Sequence, residues 1–319
     1  MKEKNMKKIP LIAVVGPTAA GKSDLGIKLA QKYNGEIVSA DSMQIYKGIP
    51  IASAVVTNEE MQGIPHHLTQ FLNIDTAFTV ADYVNLAKDK INEIYFNGKQ
   101  PILVGGTGLY VNSLVDGISF ASEEENAALR EELCYELDTF GGEYMLEKLR
   151  AVDPVTAEKL HPNNTRRILR ALEVYKKTGI TFSRQNELSK QNGSQYDTIM
   201  IGITYYSREK LYDRINKRVD KMIQNGLISE AEKTLNLPVG VGAAQAIGHK
   251  EIHKYLKGDA TLNDSIETLK MQTRRYAKRQ LTWFNRRTDI EWVYADNEDA
   301  MERATEIIER RRKPWENQR

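Results

Sequence analysis

The segment GPTAAGKS, residues 16–23, limits more than any other how this chain can fold. An apolar run at residues 9–15 precedes it, and a segment typical of a helix begins at Lys22. Two glycines followed by Lys and Ser in this pattern are typical of a loop whose backbone N–H groups hold phosphate at a helix N-terminus. Lys22 adds a positive charge there, and Ser23 is placed to ligate Mg²⁺. We therefore predict diphosphate binding by Gly16, Pro17, Thr18, Ala19, Ala20, Gly21, Lys22 and Ser23.

The segments that follow the phosphate loop predict the fold class. Short apolar runs at residues 36–40 and 101–106 predict two more strands, and apolar residues at helical spacing predict a helix at residues 81–96 between them. Strands that alternate with helices form a parallel sheet with right-handed crossovers, and ligands bind at the carboxyl ends of its strands. We predict an α/β fold, a P-loop NTPase-like parallel sheet flanked by helices. The phosphate loop, Asp41 and residues 105–108 should meet there in one crevice.

The chain length and a change in composition predict the domain organisation. At 319 residues the chain exceeds the usual size of one domain. From about residue 118 the sequence becomes acidic and basic and helical in pattern, and strand character returns at residues 198–205. We predict a catalytic core formed by residues 1–115 and 197–319, with an inserted all-helical domain at residues 116–196.

The second part of the predicted core has its own start and stop signals. Ser207 is a predicted N-cap of a helix that Gly226 ends. A long helix is predicted from Leu262 to about Arg287, and alternating apolar residues at 290–294 predict a late strand. A charged helix should close the chain.

Composition and charge limit the class of protein. Hydrophobic residues make up 41% and charged residues 28%, and no apolar run approaches the length of a membrane span, so we expect a soluble protein. The basic N-terminus has no cleavage-type site behind it, so a cytoplasmic location is expected. The single cysteine, Cys134, excludes an internal disulfide and a multi-thiolate zinc site.

Two segments beside the phosphate loop leave more than one interpretation open. Asp41 follows the second predicted strand, where an aspartate can be a general base, an indirect Mg²⁺ ligand or a helix N-cap. GGTGLY at residues 105–110 lacks the complete G-x-G-x-x-G pattern, so we reject a dinucleotide site. Its glycines either let a ligand approach Thr107 closely or only form a tight strand-to-helix turn.

The predicted long helix carries a basic and aromatic run. Between Arg274 and Arg287, six cations and no acid are interleaved with Tyr276, Trp283 and Phe284. Cations can neutralise a nucleic-acid backbone, and rings can stack on unstacked bases. We favour that interpretation over a helix with core aromatic residues and a basic outer side, which would have the same composition.

Two further polar groups have a structural interpretation by default. Arg214, Arg218 and Lys221 lie along one side of a predicted helix, where a solvated stripe paired with acids is expected, although one arginine could reach the diphosphate. His66 and His67 are adjacent and point in different directions, so we favour a structural or loop role over a metal site.

Seven segments, taken in order and spacing, resemble the bacterial tRNA dimethylallyltransferases, also called tRNA isopentenyltransferases. The likeness covers nearly the whole chain. Apart from the phosphate loop, each segment alone is weak evidence, but all seven occur in the same order as in the family. The segments are GPTAAGKS, ADSMQIYKG, IPHHL, LVGGTGLY, HPNNTRRILRALE, QAIGHKE and TRRYAKRQLTWF.

The resemblance implies a reaction and roles for residues. A dimethylallyl group would pass from dimethylallyl diphosphate to N6 of adenosine 37, next to the anticodon of a tRNA, with release of diphosphate. In this family the phosphate loop binds the prenyl diphosphate rather than ATP. By the resemblance, Asp41 accepts the N6 proton and Thr107 contacts the reacting region. Lys22, Arg218 and a Mg²⁺ ion held by Ser23 would neutralise the departing diphosphate.

The resemblance also implies an extended tRNA surface, with the helical insertion closing over the anticodon stem. The target base would have to leave its stack, at a cost of about a few kcal/mol. With the basic helix included, the predicted tRNA contacts are Asp41, Ser42, Met43, Gln44, Thr107, Arg130, Arg166, Arg167, Arg170, Gln245, Gly248, Lys250, Arg274, Arg275, Lys278 and Arg279.

The chain departs from the family pattern at two places, and other functions stay open. His249 stands where relatives usually have tyrosine, and because the chain has one cysteine we expect no C-terminal zinc finger of the kind that eukaryotic relatives have. A P-loop ATP-dependent small-molecule kinase and a prenyltransferase of free adenine nucleotides are the alternative enzymes. A non-catalytic RNA-binding module with a vestigial loop is the alternative outside enzymes. We expect a monomer without a membrane partner.

Overall fold

The structure, a computed structural model, describes residues 8–118, 126–189, 193–236 and 246–316. Within these residues the chain forms two compact units, which we call the core unit and the helical unit. The core unit comprises residues up to Val115 and from Ser194, and the helical unit is Asp116–Gly193.

The core unit contains a six-stranded sheet in which every neighbouring pair is parallel. This arrangement is the predicted P-loop NTPase-like α/β fold. In chain order the strands are β1 (Ile9–Val15), β2 (Gly35–Ser39), β3 (His66–His67), β4 (Gln100–Gly105), β5 (Tyr196–Thr204) and β6 (Ile290–Tyr294). Their order across the sheet is β3-β2-β4-β1-β5-β6.

Helices cover both faces of the sheet, and β1 shows why. Successive side chains of a strand point to opposite faces, so Leu11, Ala13 and Val15 pack into one apolar cluster while Ile12 and Val14 pack into another. The helices of the first cluster are α3 (Val80–Phe96), α4 (Gly108–Val115) and α12 (Leu262–Phe284), and those of the second are α1 (Lys22–Tyr33) and α13 (Ala300–Glu316).

Local sequence signals set most of these boundaries. The prediction for β1 is confirmed residue for residue, whereas β2 and β4 each begin one residue earlier than predicted. β5 begins at Tyr196, so the sheet resumes before residue 198. The edge strand β3 was not predicted, because two residues are too few to show a strand pattern.

The remaining helices of the core unit include two that join end to end. The Ser207 side chain accepts a hydrogen bond from the Lys210 N–H, which confirms the predicted N-cap. Gly226, with φ of 97°, takes the left-handed conformation between two helices and permits the turn. These helices are α2 (Asn58–Met61), α9 (Arg208–Gln224), α10 (Leu227–Thr234) and α11 (His249–Leu256).

The helical unit has an apolar centre of its own. Leu133, Leu149 and Ile168 are fully buried in it. Its helices are α5 (Ala127–Val152), interrupted by non-helical backbone at Gly141, α6 (Pro154–Ala157), α7 (Thr165–Thr178) and α8 (Phe182–Ser189). No helix in the described part of the chain combines the length and apolar character that crossing a bilayer requires.

Candidate active site

A cavity of about 220 Å³ lies where the first strands of the core unit end. Lys22 follows β1, Asp41 follows β2 and Gly105 ends β4, and all three line this cavity. The carboxyl ends of parallel strands meet at one edge of the sheet, which is why residues far apart in sequence converge here. The structure thus brings together the phosphate loop, Asp41 and the glycine-rich turn.

Three side chains hold the backbone of the phosphate loop through hydrogen bonds. The Pro17 carbonyl accepts a hydrogen bond from Lys22 Nζ at 2.7 Å, and the Ala19 carbonyl accepts one from Arg214 Nε at 3.0 Å. The Thr18 N–H donates to Gln280 Oε1 at 2.8 Å. Gly21, with φ of 100°, turns the chain into α1, where the first N–H groups have no carbonyl acceptor within the helix. This is the geometry of an anion site at a helix N-terminus.

Asp41 presents one carboxylate oxygen to its own backbone. Its Oδ1 accepts a hydrogen bond from the Met43 N–H at 2.9 Å, whereas Oδ2 has no hydrogen-bond partner among the described residues. Asp41 therefore stabilises a local turn, and one oxygen stays available at the cavity to take a proton.

Thr107 contacts Ser42, the residue after Asp41. Its hydroxyl accepts a hydrogen bond from the Ser42 N–H at 3.0 Å and donates to Ser42 Oγ at 3.2 Å. Among the described residues, Thr107 does not line the 220 Å³ cavity, whereas Ser42, Met43 and Gln44 do. Its position beside Ser42 places it next to the site rather than on the cavity wall.

Two cations share the cavity with the Asp41 carboxylate. Burial lowers the pKa of Lys22 to about 8, although the negative charge of Asp41 raises it and the nearby Arg218 lowers it further. Burial also lowers the pKa of Arg218, while Asp41 and Glu60 raise it. Among the described residues, neither cation forms an ion pair within 4.0 Å, so both charges are poorly compensated. Such a site favours an anionic ligand.

The expectation of a solvated basic stripe on α9 is wrong for Arg218. Arg218 lines the 220 Å³ cavity and also a second cavity of about 820 Å³, and Lys22 and Ser23 line both. The side chains of Arg214 and Lys221 line only the larger one. The helical period puts Arg218 on the inner edge of α9, beside the buried Val219.

Apolar side chains complete the smaller cavity. Val104, Val219, Met222, Ile247 and Leu269 line it together with the polar groups. A cavity with a cationic end and an apolar wall suits a molecule with an anionic head and a short hydrocarbon tail. The sequence did not predict this wall, because its members come from four separate segments of the chain.

His66 also lines this cavity. The structural or loop role that we favour from the sequence does not include this position. His66 Nδ1 is 2.9 Å from the Ile64 carbonyl, which can only accept, so Nδ1 carries the proton and Nε2 is an acceptor. Burial lowers the pKa of His66 and keeps the ring neutral. His67 instead pairs with Glu36, at 2.7 Å between Nε2 and Oε2. Among the described residues, no group of three or more His, Cys, Asp or Glu side chains could hold a metal.

Glu230 and His249 form a buried pair behind the cavity. Glu230 accepts hydrogen bonds from the N–H groups of Ile51 and Ala52 at 2.7 and 2.9 Å. His249 Nε2 lies 2.8 Å from Glu230, and its Nδ1 lies 3.0 Å from the Thr234 hydroxyl. The His249 imidazole therefore supports the Ile51–Ala52 segment through Glu230 and does not line the cavity itself.

The neighbours of His249 differ in exposure. Gly248, with φ of 120°, is the N-cap of α11 and is buried, whereas Lys250 is exposed. The predicted contact residue Gln245 lies outside the described residues.

Two aromatic residues of α12, Trp283 and Phe284, do not form the predicted stacking surface. Phe284 is 0% exposed, and Trp283 packs against the core and against Gly108. The helical period turns these two rings toward the sheet, so the alternative of core aromatic residues with a basic outer side is correct for them. Tyr276 lines the cavity, and burial followed by the charge of Asp41 raises its pKa.

Three cations of α12 lie on its outer side. Arg275, Lys278 and Arg279 are exposed, and the Arg279 guanidinium lies 5.6 Å from the centre of the Tyr276 ring. Arg274 is half-buried and donates to Asn216 Oδ1 at 2.6 Å. Three of the four predicted tRNA contacts on this helix therefore face solvent.

In the helical unit the predicted arginines fall into two kinds. Arg166 and Arg167 are exposed at the start of α7. Arg130 donates to the buried Glu173 at 2.7 Å, and Arg170 lies 4.0 Å from the same carboxylate. Arg130 therefore has a structural partner already, which the sequence could not indicate.

The fold and the site together define a class. A parallel sheet with a phosphate loop, two poorly compensated cations and a carboxylate at one cavity is a phosphate-loop enzyme site, built for a substrate with an anionic head.

Comparison with known proteins identifies the family. The IPP transferase model matches residues 44–287. The tRNA dimethylallyltransferase of Thermoanaerobacter sp. (strain X514) is 47% identical over 292 residues, which are 91% of this chain and 93% of that protein. The chain belongs to the IPP transferase family and is an enzyme of the tRNA prenyltransferase class, with tRNA as substrate.

Solved structures agree in fold and in family. The full-length tRNA isopentenylpyrophosphate transferase from Bacillus halodurans has a TM-score of 0.72 at 41% identity, covering 98% of this chain and 99% of that one. A eukaryotic dimethylallyltransferase acting on tRNA has a TM-score of 0.75 at 31% identity, covering 90% of this chain and 74% of that one.

Proposed function

We propose that the enzyme transfers a dimethylallyl group from dimethylallyl diphosphate to N6 of adenosine 37, beside the anticodon of tRNA. The observation that carries this proposal is the single cavity shared by Lys22, Arg218, Asp41 and an apolar wall. The diphosphate fits the phosphate loop and the cations, and the five-carbon tail fits the apolar wall. The adenine amine would enter from the side of Asp41.

The proposed reaction forms one carbon–nitrogen bond, breaks one carbon–oxygen bond and transfers one proton. The N6 nitrogen attacks the allylic carbon, the carbon–oxygen bond breaks, and its electron pair leaves with the diphosphate. Asp41 Oδ2 takes the proton that N6 loses, because an exocyclic amine is a poor nucleophile without a base. Lys22 and Arg218 neutralise the departing diphosphate, and their incomplete compensation in the free protein makes that interaction stronger.

We also propose Mg²⁺ as the cofactor, with the Ser23 hydroxyl as a protein ligand. Ser23 lines both cavities, and its hydroxyl has no hydrogen-bond partner among the described residues, so its oxygen is available to a hard cation. Diphosphate oxygens and water would supply the other ligands, because Mg²⁺ is commonly held by few protein groups together with phosphates. When bound, the ion supplies positive charge to the leaving group.

For tRNA we propose two sets of contacts, one on each unit. Asp41, Ser42, Met43 and Gln44 line the cavity, where the extruded adenine would lie. Exposed cations would bind phosphates without reading sequence, which offsets the cost of extrusion. On the core unit these are Lys250, Arg275, Lys278 and Arg279, and on the helical unit they are Arg166, Arg167 and Arg170. We propose that the enzyme acts as a monomer in the cytoplasm.

Mass analysis of tRNA incubated with the enzyme, dimethylallyl diphosphate and Mg²⁺ tests the proposal. The expected result is the gain of one dimethylallyl group on an adenosine next to the anticodon, with one diphosphate released per transfer. Prenylation of AMP with unmodified tRNA, or consumption of ATP without tRNA, would contradict it. A tRNA lacking adenosine at position 37 is the matched control substrate.

A further inference from the structure

The side chain of Gln280 connects two loops of the active site. Gln280 lies on α12 and is only 5% exposed. Its Oε1 accepts the Thr18 N–H at 2.8 Å, and its Nε2 donates to the Gly106 carbonyl at 2.9 Å. Thr18 belongs to the phosphate loop and Gly106 to the turn after β4, so one buried amide holds the ends of two adjacent strands.

The bond to Thr18 decides which loop amides remain for an anion. Because Gln280 takes the Thr18 N–H, that amide points toward α12 rather than into the concave side of the loop. The loop carbonyls on either side of Thr18 are held by Lys22 and Arg214. Side-chain hydrogen bonds thereby fix the first half of the loop, and the anion is left to the amides near the start of α1.

The bond to Gly106 continues toward the proposed base. Gly106 precedes Thr107, whose N–H donates to the Ala40 carbonyl at 3.1 Å and whose hydroxyl accepts the Ser42 N–H. Ala40 and Ser42 flank Asp41. Hydrogen bonds and the Gly106–Thr107 peptide link therefore connect the phosphate loop through Gln280 to the backbone on both sides of Asp41.

Gln280 and Trp283 pack closely against the glycines of the turn after β4. A Cβ atom added to Gly106 would lie 2.2 Å from Gln280 Nε2, and one added to Gly108 would lie 2.2 Å from the Trp283 ring. The approach of α12 therefore requires Gly106 and Gly108, whereas a Cβ atom on Gly105 would meet the Ala40 backbone. Neither interpretation of GGTGLY included this contact, in which Gly106 and Gly108 make room for side chains of α12.

We propose that Gln280 is a positioning residue for the transfer reaction, setting the distance between the diphosphate site and the Asp41 carboxylate. It acts through Thr18 and Gly106, and this role rests on the proposed function. Positioning groups matter because a displacement of about 1 Å between reacting groups can cost about 100-fold in rate.

Substitutions of Gln280 with different chemistry test this role. Gln280→Leu removes both hydrogen bonds, and we expect kcat to fall about 100-fold, with the Kd for tRNA unchanged. Gln280→Glu keeps an acceptor for Thr18 but sets a carboxylate oxygen against the Gly106 carbonyl. We expect it to keep a near-normal KM for dimethylallyl diphosphate and to lower kcat. Thr282→Val, which removes an exposed hydroxyl of the same helix, should behave as wild type.

A double substitution separates positioning from general stability. Gly106→Ala should lower kcat because its methyl group meets the Gln280 amide, and Gln280→Ala should lower kcat because both hydrogen bonds are removed. If the two residues act as a unit, the double variant should be no slower than the slower single variant. Effects that multiply would overturn the proposal, as would Gln280 variants that melt earlier but keep wild-type kcat.

The outcomes also separate this inference from the proposed function. If the wild-type enzyme does not prenylate tRNA, the proposed function fails. If the wild type does so and Gln280→Leu and Gln280→Glu match its kcat, only the positioning role fails.

Discussion

The cations at the cavity and the cations of the helical unit differ in their surroundings. Lys22 is close enough to Asp41 and Arg218 for both to affect its pKa, and burial holds that pKa down to about 8. Arg166 and Arg167 are exposed at the start of α7. Charges with low exposure interact strongly at short range, whereas exposed charges are screened by salt within about 10 Å.

The contrast assigns different tasks to similar side chains. Cations at the cavity are suited to stabilising charge that appears during the reaction, which changes kcat. Exposed arginines are suited to gathering a polyanion, which changes KM for tRNA and its salt dependence. The comparison fails if a cavity substitution changes only tRNA binding or a surface substitution changes only kcat.

The largest effect is expected at Asp41. Asp41→Asn keeps the size and the turn to Met43 but removes the proton acceptor, so kcat should fall by about 10²- to 10⁴-fold. Single-turnover assays with saturating tRNA and dimethylallyl diphosphate measure it. Asp259→Asn, an exposed change on the same unit, is the control. A comparable drop in tRNA affinity would contradict the assignment of Asp41 as a base.

The next largest effect is expected at Arg218. Arg218→Lys keeps the charge but removes the planar pair of donors that matches diphosphate oxygens. By analogy with removal of one donor to a developing anion, kcat should fall by about 10²-fold or more. Lys217→Arg, on the adjacent position of α9, is the control. An unchanged kcat would mean that Arg218 does not contact the leaving group.

A pH effect of intermediate size should come from Lys22. Its pKa of about 8 in the free protein means that the ammonium is present below pH 8 and is lost as the pH rises. The kcat/KM for dimethylallyl diphosphate should therefore decline above pH 8, approaching tenfold per pH unit. The limb in kcat should lie at higher pH, because a bound diphosphate raises the pKa of Lys22.

Lys22→Arg provides the matched test of that limb. Arginine stays charged across the accessible pH range, so this variant should not show the decline in kcat/KM even if its activity is lower. Initial rates between pH 7 and 9 suffice. A decline that persists in Lys22→Arg would assign the limb to another group.

Sequence patterns predicted the parts of the site that depend on neighbours along the chain. The phosphate loop, β1 and the Ser207 cap are set by adjacent residues, so local rules sufficed. Gln280, His66 and the wall of the cavity depend on contacts between distant segments. Gln280 to Thr18 spans 262 residues, and no local pattern encodes such a pair.

The same limit explains why the stacking role predicted for Trp283 and Phe284 is wrong. Composition suggested rings beside cations, but the sheet buries Phe284 while Arg275 and Lys278 stay exposed. Helical periodicity does place Ala277, Gln280 and Phe284 on one face of the helix. Knowing which face meets the sheet required the tertiary structure.

The smallest expected effect tests the surface side of the comparison. Arg166→Glu or Arg167→Glu should raise KM for tRNA several-fold at low salt and leave kcat unchanged. The plot of log affinity against log salt has a negative slope. Its magnitude should decrease by roughly 1 for each phosphate that the variant no longer binds. Lys159→Glu changes the charge of the same unit equally at another exposed position. If Lys159→Glu had the same effect, net charge rather than a localised phosphate site would explain tRNA binding, and the α7 arginines would have no special place in it.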